Sequence, residues 1–168
     1  HLRLSYLHIH TSINCHYICI SKRKNIMLNI NAYLHFMGKT EEAMNFYKSI
    51  LGGEFTIFGR FRDVPGGENM NPEDQKKIMH ISLTTKNGTV IMATDSLESM
   101  GQQVNFGNNV HLCIQAESET EVDKLFAALS TGGKVEMPVN KTFWGAYFGM
   151  CQDKYGVQWM INYTYNQN

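Results

Sequence analysis

The sequence predicts an α+β fold of paired βαβββ modules, a curved mixed sheet of half-barrels around a cavity. Three observations predict it. After Met27 one succession of elements, a strand, a helix and three further strands, occurs twice. In both copies the helix stops at a glycine pair, Gly52-Gly53 and Gly132-Gly133. The densest aromatic stretch, residues 140–163, holds both tryptophans and reads as a hairpin with bulky side chains on both faces. Strand side chains alternate between faces, so both faces of that hairpin are expected to be covered.

The first copy opens at residues 30–36 (INAYLHF), a short alternating run followed by a Met37-Gly38-Lys39 loop. Thr40 is the expected N-cap, with Glu41 and Glu42 where the helix dipole favours negative charge. Ala43, Phe46, Tyr47, Ile50 and Leu51 then recur at helical spacing. A strand follows at 54–62, then a polar loop at 63–77 with Pro65, Gly66-Gly67 and Pro72, expected to form a rim or lid. Residues 78–84 and 89–94 flank Lys86-Asn87-Gly88, and Asn-Gly between apolar runs is a strong hairpin signal.

The second copy runs in the same order: a strand at 110–115, then a capping box of Ser118 with Glu121. Val122, Leu125, Phe126 and Leu129 form the helix stripe, 134–137 the next strand, and 146–151 with 157–163 the closing hairpin around Asp153–Gly156. The modules are thus expected at 27–95 and 110–168, with 96–109 as linker. Residues 1–26 have no period and crowd four of the seven histidines together. They are expected to be an extension upstream of a natural start at Met27 and poorly ordered. His8, His10, Cys15, His16 and Cys19 there match no zinc spacing.

Composition narrows the function. Lys+Arg and Asp+Glu balance at 15 each, and the lone basic block is Lys22-Arg23-Lys24, which argues against a nucleic-acid partner. No apolar run approaches the ~20 residues of a membrane span. The four cysteines show no zinc-type pairing and suit reduced thiols in a cytoplasmic protein.

The motifs EEAMNFYKSILGGE (41–54), KIMHISL (77–83), GGKVEMP (132–138) and TFWGAYFGMCQDKYGVQWMIN (142–162) resemble the PhnB-like, glyoxalase-like branch of the vicinal oxygen chelate superfamily. That superfamily includes glyoxalases, extradiol dioxygenases and bleomycin resistance proteins. The resemblance implies a ligand cup between modules, commonly a homodimer, and in metal-using members a divalent ion held by one His or Glu from each of four strands. At the matching places this chain offers His111, but Asn31, Met92 and Met160 elsewhere. Thioether is a poor ligand for a hard ion, so a divalent metal is allowed but not favoured. A rearranged set of His35, His80 and His111 would be needed.

The remaining candidates line a cup. Trp144 and Tyr147 would wall it, with Phe148 and Trp159 beside them; Gln158 and Asn162 would supply polar points. Arg60 and Arg62 at a strand end suit an anionic group. Glu136 and His111 are the candidate catalytic residues, Glu136 as a general base if it faces inward. The leading expectation is a protein that binds or transforms a small polar metabolite. Two others stand beside it: a metal-dependent lyase, isomerase or dioxygenase, and a non-catalytic drug- or metabolite-sequestering binder.

Overall fold

A computed structural model describes residues 29–165; the expected extension at 1–26 lies outside them. The repeated order is present: β1 (Ala32–Phe36), α1 (Thr40–Leu51), β2 (Glu54–Arg60), a short α2 (Pro72–Lys76), β3 (Ile78–Thr84) and β4 (Val90–Asp95). After the linker come β5 (Leu112–Gln115), α3 (Glu119–Ser130), β6 (Lys134–Lys141), β7 (Ala146–Gln152) and β8 (Gln158–Thr164). The strands form two four-stranded sheets with one topology, β1-β4-β3-β2 and β5-β8-β7-β6, each with one parallel pair.

The two copies match in atomic detail. A Cβ on Gly53 would run into the Thr84 carbonyl, and one on Gly133 into that of Gln152. Each position brings the second strand of its module against the end of the third, so only glycine allows the approach. The hairpin turns also correspond: Thr85 N–H donates to Thr89 O and Asp153 N–H to Val157 O, both at 2.9 Å. Gly88 and Gly156 supply the left-handed residue in each, at φ 85° and 90°.

Several boundaries differ from the sequence reading. Lys39 is the N-cap of α1 and Thr40 its first residue. The Thr40 amide and hydroxyl both donate to Asp95 Oδ1 (3.1 and 2.7 Å), while Asp95 Oδ2 accepts from the Ile78 amide (2.8 Å). The cap thus comes from the end of β4, 55 residues away, where local sequence does not show it. The 63–77 loop contains α2, capped by Asn71 and holding a buried Asp74 that Lys77 and Ser99 engage. Ser118 caps α3 as expected, though Glu121 reaches back to the Glu117 amide, not to that of Ser118.

Each module of the expected pair contributes its own four-stranded sheet. Helix α1 lies on β3 and β4, α3 on β6, β7 and β8, and the helices touch each other. One apolar core lies between them, joining Phe36, Met44, Tyr47, Ile81 and Leu83 to Val122, Leu129, Trp159 and Ile161. Alternation places Leu34 and Phe36 toward this core while Tyr33 and His35 project from the opposite face.

A buried hub closes the seam. Asp153, 3% exposed, accepts from the Tyr47 hydroxyl and Trp159 Nε1 (2.8 Å each) on Oδ2, and from the Tyr155 and Val157 amides (2.8 and 3.1 Å) on Oδ1. Burial, reinforced by that carboxylate, raises the Tyr47 phenol pKa well above its usual range. Among the described residues no helix is long and apolar enough to cross a membrane.

Candidate functional site

The face of each sheet turned away from the helices carries the polar candidates. On the second sheet, His111 precedes β5 at one edge and Glu136 lies on β6 at the other. Their side chains nevertheless meet, with His111 Nε2 3.4 Å from Glu136 Oε2. Strands in a flat sheet are spaced about 4.8 Å apart, so a contact between the edges of a four-stranded sheet requires strong curling. A register shift between Val135 and Met137 marks a β-bulge at Glu136 that aims the carboxylate inward.

Gln158, on β8 between these edges, is 5% exposed. In the amide orientation that satisfies its neighbours, Nε2 donates to both Glu136 oxygens (3.2 and 3.1 Å) and Oε1 accepts from Gln152 Nε2 (3.1 Å). Farther along the same face, Asn162 donates to Gln115 Oε1 (2.7 Å). Gln152 and Gln115 were not singled out from sequence; their register opposite Gln158 and Asn162 reveals them.

The first sheet carries a separate group. Tyr33 hydroxyl and His80 Nδ1 lie 3.0 Å apart, and the Tyr33 ring also lies against His35 (centroids 5.4 Å). His35 Nδ1 is 3.5 Å from Ser96 Oγ. The structure therefore brings His35 and His80 together but leaves His111 on the other sheet with Glu136. Beside these faces, an open groove of about 840 Å³ runs between Ile30–Ala32, the β3–β4 turn and the outer edge of β5.

Other candidates take different places. Tyr147 projects toward the helix, donating to Asp123 of α3 (3.0 Å), because it shares parity with Gly149 and Cys151 on the core side of β7. Trp159 is a core residue, 1% exposed. Trp144, 51% exposed in the β6–β7 turn, packs edge-on against Phe143 (4.8 Å) and Phe148 (6.2 Å) at the rim of the hollow. Arg60 turns back to Glu41 (2.9 Å) and the Lys76 carbonyl (2.6 Å), and the Glu41 carboxylate holds its pKa above the usual value. Arg62 faces Asp63 at 3.5 Å. Both guanidiniums thus already have carboxylate partners.

A hard divalent ion does not fit one chain. No three His, Cys, Asp or Glu side chains converge among the described residues. Met92 and Met160 stand beside Tyr33 and Cys113 in the strand centres, where carboxylates would be needed. Free thiols Cys113 and Cys151 lie on opposite faces of the second sheet; burial pushes Cys151 up to about 11 and raises Cys113 as well. Neither is an activated nucleophile.

Comparison with known proteins places the chain in a family. The family profile for 3-demethylubiquinone-9 3-methyltransferase matches residues 28–162. Protein YjdN of Escherichia coli (strain K12) is 30% identical over 146 residues, covering 82% of this chain and 97% of that protein. Protein PA1353 from Pseudomonas aeruginosa is 34% identical with a TM-score of 0.73, over 83% of this chain and 100% of that one. A PhnB protein from Bacillus cereus is 30% identical with a TM-score of 0.68, over 82% and 100%. The fosfomycin resistance protein FosX from Listeria monocytogenes, at 12% identity and TM-score 0.59 over 83% and 95%, shares the fold alone. With its duplicated βαβββ unit and these relatives, the chain belongs to the PhnB-like 3-demethylubiquinone-9 3-methyltransferase family, on the fold of the glyoxalase/bleomycin resistance/dioxygenase superfamily.

Proposed function

We propose that this protein binds a small polar metabolite on the hollow face of the second sheet, with His111 and Glu136 as its proton-handling pair. The carrying observation is the convergence of His111, Glu136, Gln158 and Gln152 on one face, with Glu136 exposed and Gln158 buried. An imidazole and a carboxylate sharing a proton can take one from a bound acid or return it, and the two glutamines fix the carboxylate. Met92 and Met160 weigh against the ion-dependent version of the reading. The turn between β1 and α1 has a single glycine, Gly38, and no glycine-rich phosphate loop, so methyl transfer is not part of the proposal.

The face is open in one chain, and we propose a cytoplasmic homodimer in which a second copy covers it. Strands β1 and β5 are outer strands of their sheets, and a free strand edge is a template for pairing. His80, His35 and Tyr33 would then meet the bound molecule from the partner.

The test is a thermal-shift and NMR screen of dicarbonyls, catechols, phosphonates and antibiotics, with turnover assayed for every hit and mass measured by analytical ultracentrifugation. Hits should weaken about tenfold or more in His111→Ala and Glu136→Gln, the loss of about one charge-assisted hydrogen bond. Hits indifferent to both substitutions would refute the site. Binding without turnover would favour sequestration over catalysis.

A further inference from the structure

The hollow face of the second sheet is banded, and the middle band is sulphur. In register across the four strands lie Cys113 on β5, Met160 on β8, Met150 on β7 and Met137 on β6. On one side, two residues along β5, β8 and β7, are His111, Gln158 and Gln152, which Glu136 joins from the β6 bulge; on the other are Gln115, Asn162 and Phe148, with Asn140 opposite Phe148 on β6. Two residues of strand span about 7 Å, so a strip one ring wide separates a polar band from a second one that Phe148 interrupts. The curl that brings His111 to Glu136 makes this face concave, and the four sulphur side chains share it.

These sulphurs do not belong to the enclosed core. Cys113 is exposed, Met137 is 38% exposed, and Met150 and Met160 are half-buried, whereas Met44 on the buried side of α1 is 0% exposed. Thioethers are apolar, polarizable and adaptable, and they favour contact with aromatic rings. Hydrogen-bonding bands on either side leave an apolar strip that a wholly polar metabolite would waste.

We propose that the ligand of this face has a flat aryl or conjugated middle, seated on the Cys113, Met160, Met150 and Met137 band, with polar substituents reaching the bands beside it. This rests on the reading of the second sheet as the binding face and narrows it to a chemical class. The charge-bearing end of the molecule lies at His111 and Glu136. The far substituent meets Asn162 and Gln115, next to Phe148.

Matched probes test it: 4-hydroxybenzoate against trans-4-hydroxycyclohexanecarboxylate, and catechol against trans-cyclohexane-1,2-diol. Each is titrated into full-length protein carrying [methyl-13C]methionine, with resonances assigned by single Met→Leu variants. The aryl member of each pair should bind about tenfold tighter and shift the Met137, Met150 and Met160 methyls, leaving Met44 unmoved. Met160→Gln should abolish the preference. Met137→Gln, at a half-exposed edge position, should reduce it if Met160→Gln does not fold. Equal affinities within pairs, or aryl binding that leaves the three methyls unmoved, overturns the proposal. If such binding shifts the His111 ring protons, the binding face itself survives; if neither member of either pair binds, the aryl reading falls while the binding face is decided by the wider ligand screen.

Discussion

Asp153→Asn is the most informative single substitution at the seam between the modules. The buried carboxylate accepts four hydrogen bonds, two on each oxygen. Asparagine keeps one oxygen. Set at Oδ1, it turns its NH2 toward Trp159 Nε1–H; set at Oδ2, it turns the NH2 toward the Tyr155 and Val157 amides. All of these are donors only, and only the Tyr47 hydroxyl can adapt by accepting. Either orientation loses charge-assisted bonds worth about 1.5–3 kcal/mol and strands a buried donor at about 1–3 kcal/mol more. A total near 3–5 kcal/mol is a large share of the about 5–15 kcal/mol that holds a domain folded. Urea unfolding followed by tryptophan fluorescence should show a lower midpoint at unchanged slope. Tyr47→Phe should cost about 1.5–3 kcal/mol alone, yet much less on the Asp153→Asn background. Stability within about 0.5 kcal/mol of the parent, or strict additivity of the pair, refutes the hub.

Four further outcomes follow from the geometry. Gly133→Ala should lower stability by about 1–3 kcal/mol, read as a drop in Tm, because its Cβ meets the Gln152 carbonyl. Gly53→Ala should cost more, since φ is 92° there as well. Lys77, then Ser99 and Asn71, hold Asp74 down at about 2 from 3.8, so its contribution is full above pH 4 and lost as pH falls toward 2. Asp74→Asn should therefore flatten the acid limb of a pH–Tm profile between pH 4 and 2. In iodoacetamide labelling at pH 8 with peptide mapping, exposed Cys113 should react well before buried Cys151, whose thiol is pushed up to about 11.

The fold was legible because duplication multiplies weak signals. Neither helix stripe is long, but the shared glycine pair and matching hairpin turns fix the order of elements twice over. The site was legible only in part, and the losses have physical causes. Tyr147 resembles a cup wall in sequence, yet strand parity puts it with Gly149 and Cys151 on the helix side. Glu136 faces the hollow through a bulge that no local pattern announces. Arg60 looked free because its partner Glu41 is 19 residues away on α1. The histidines were sorted by sheet, which spacing along the chain does not encode. The sulphur band exists only as a register between strands, so nothing short of the pairing reveals it.

The seam that Tyr47, Trp159 and Asp153 close has a bearing on how the chain comes apart. The stretch joining the modules is exposed over Gly101–Gln103 and Asn105–Val110, whereas the groups binding one half to the other are buried. A protease nick there should leave two fragments that co-elute and melt together. Either half synthesised on its own would present a bare apolar surface where its sibling belongs, and should fold only when the missing half is supplied.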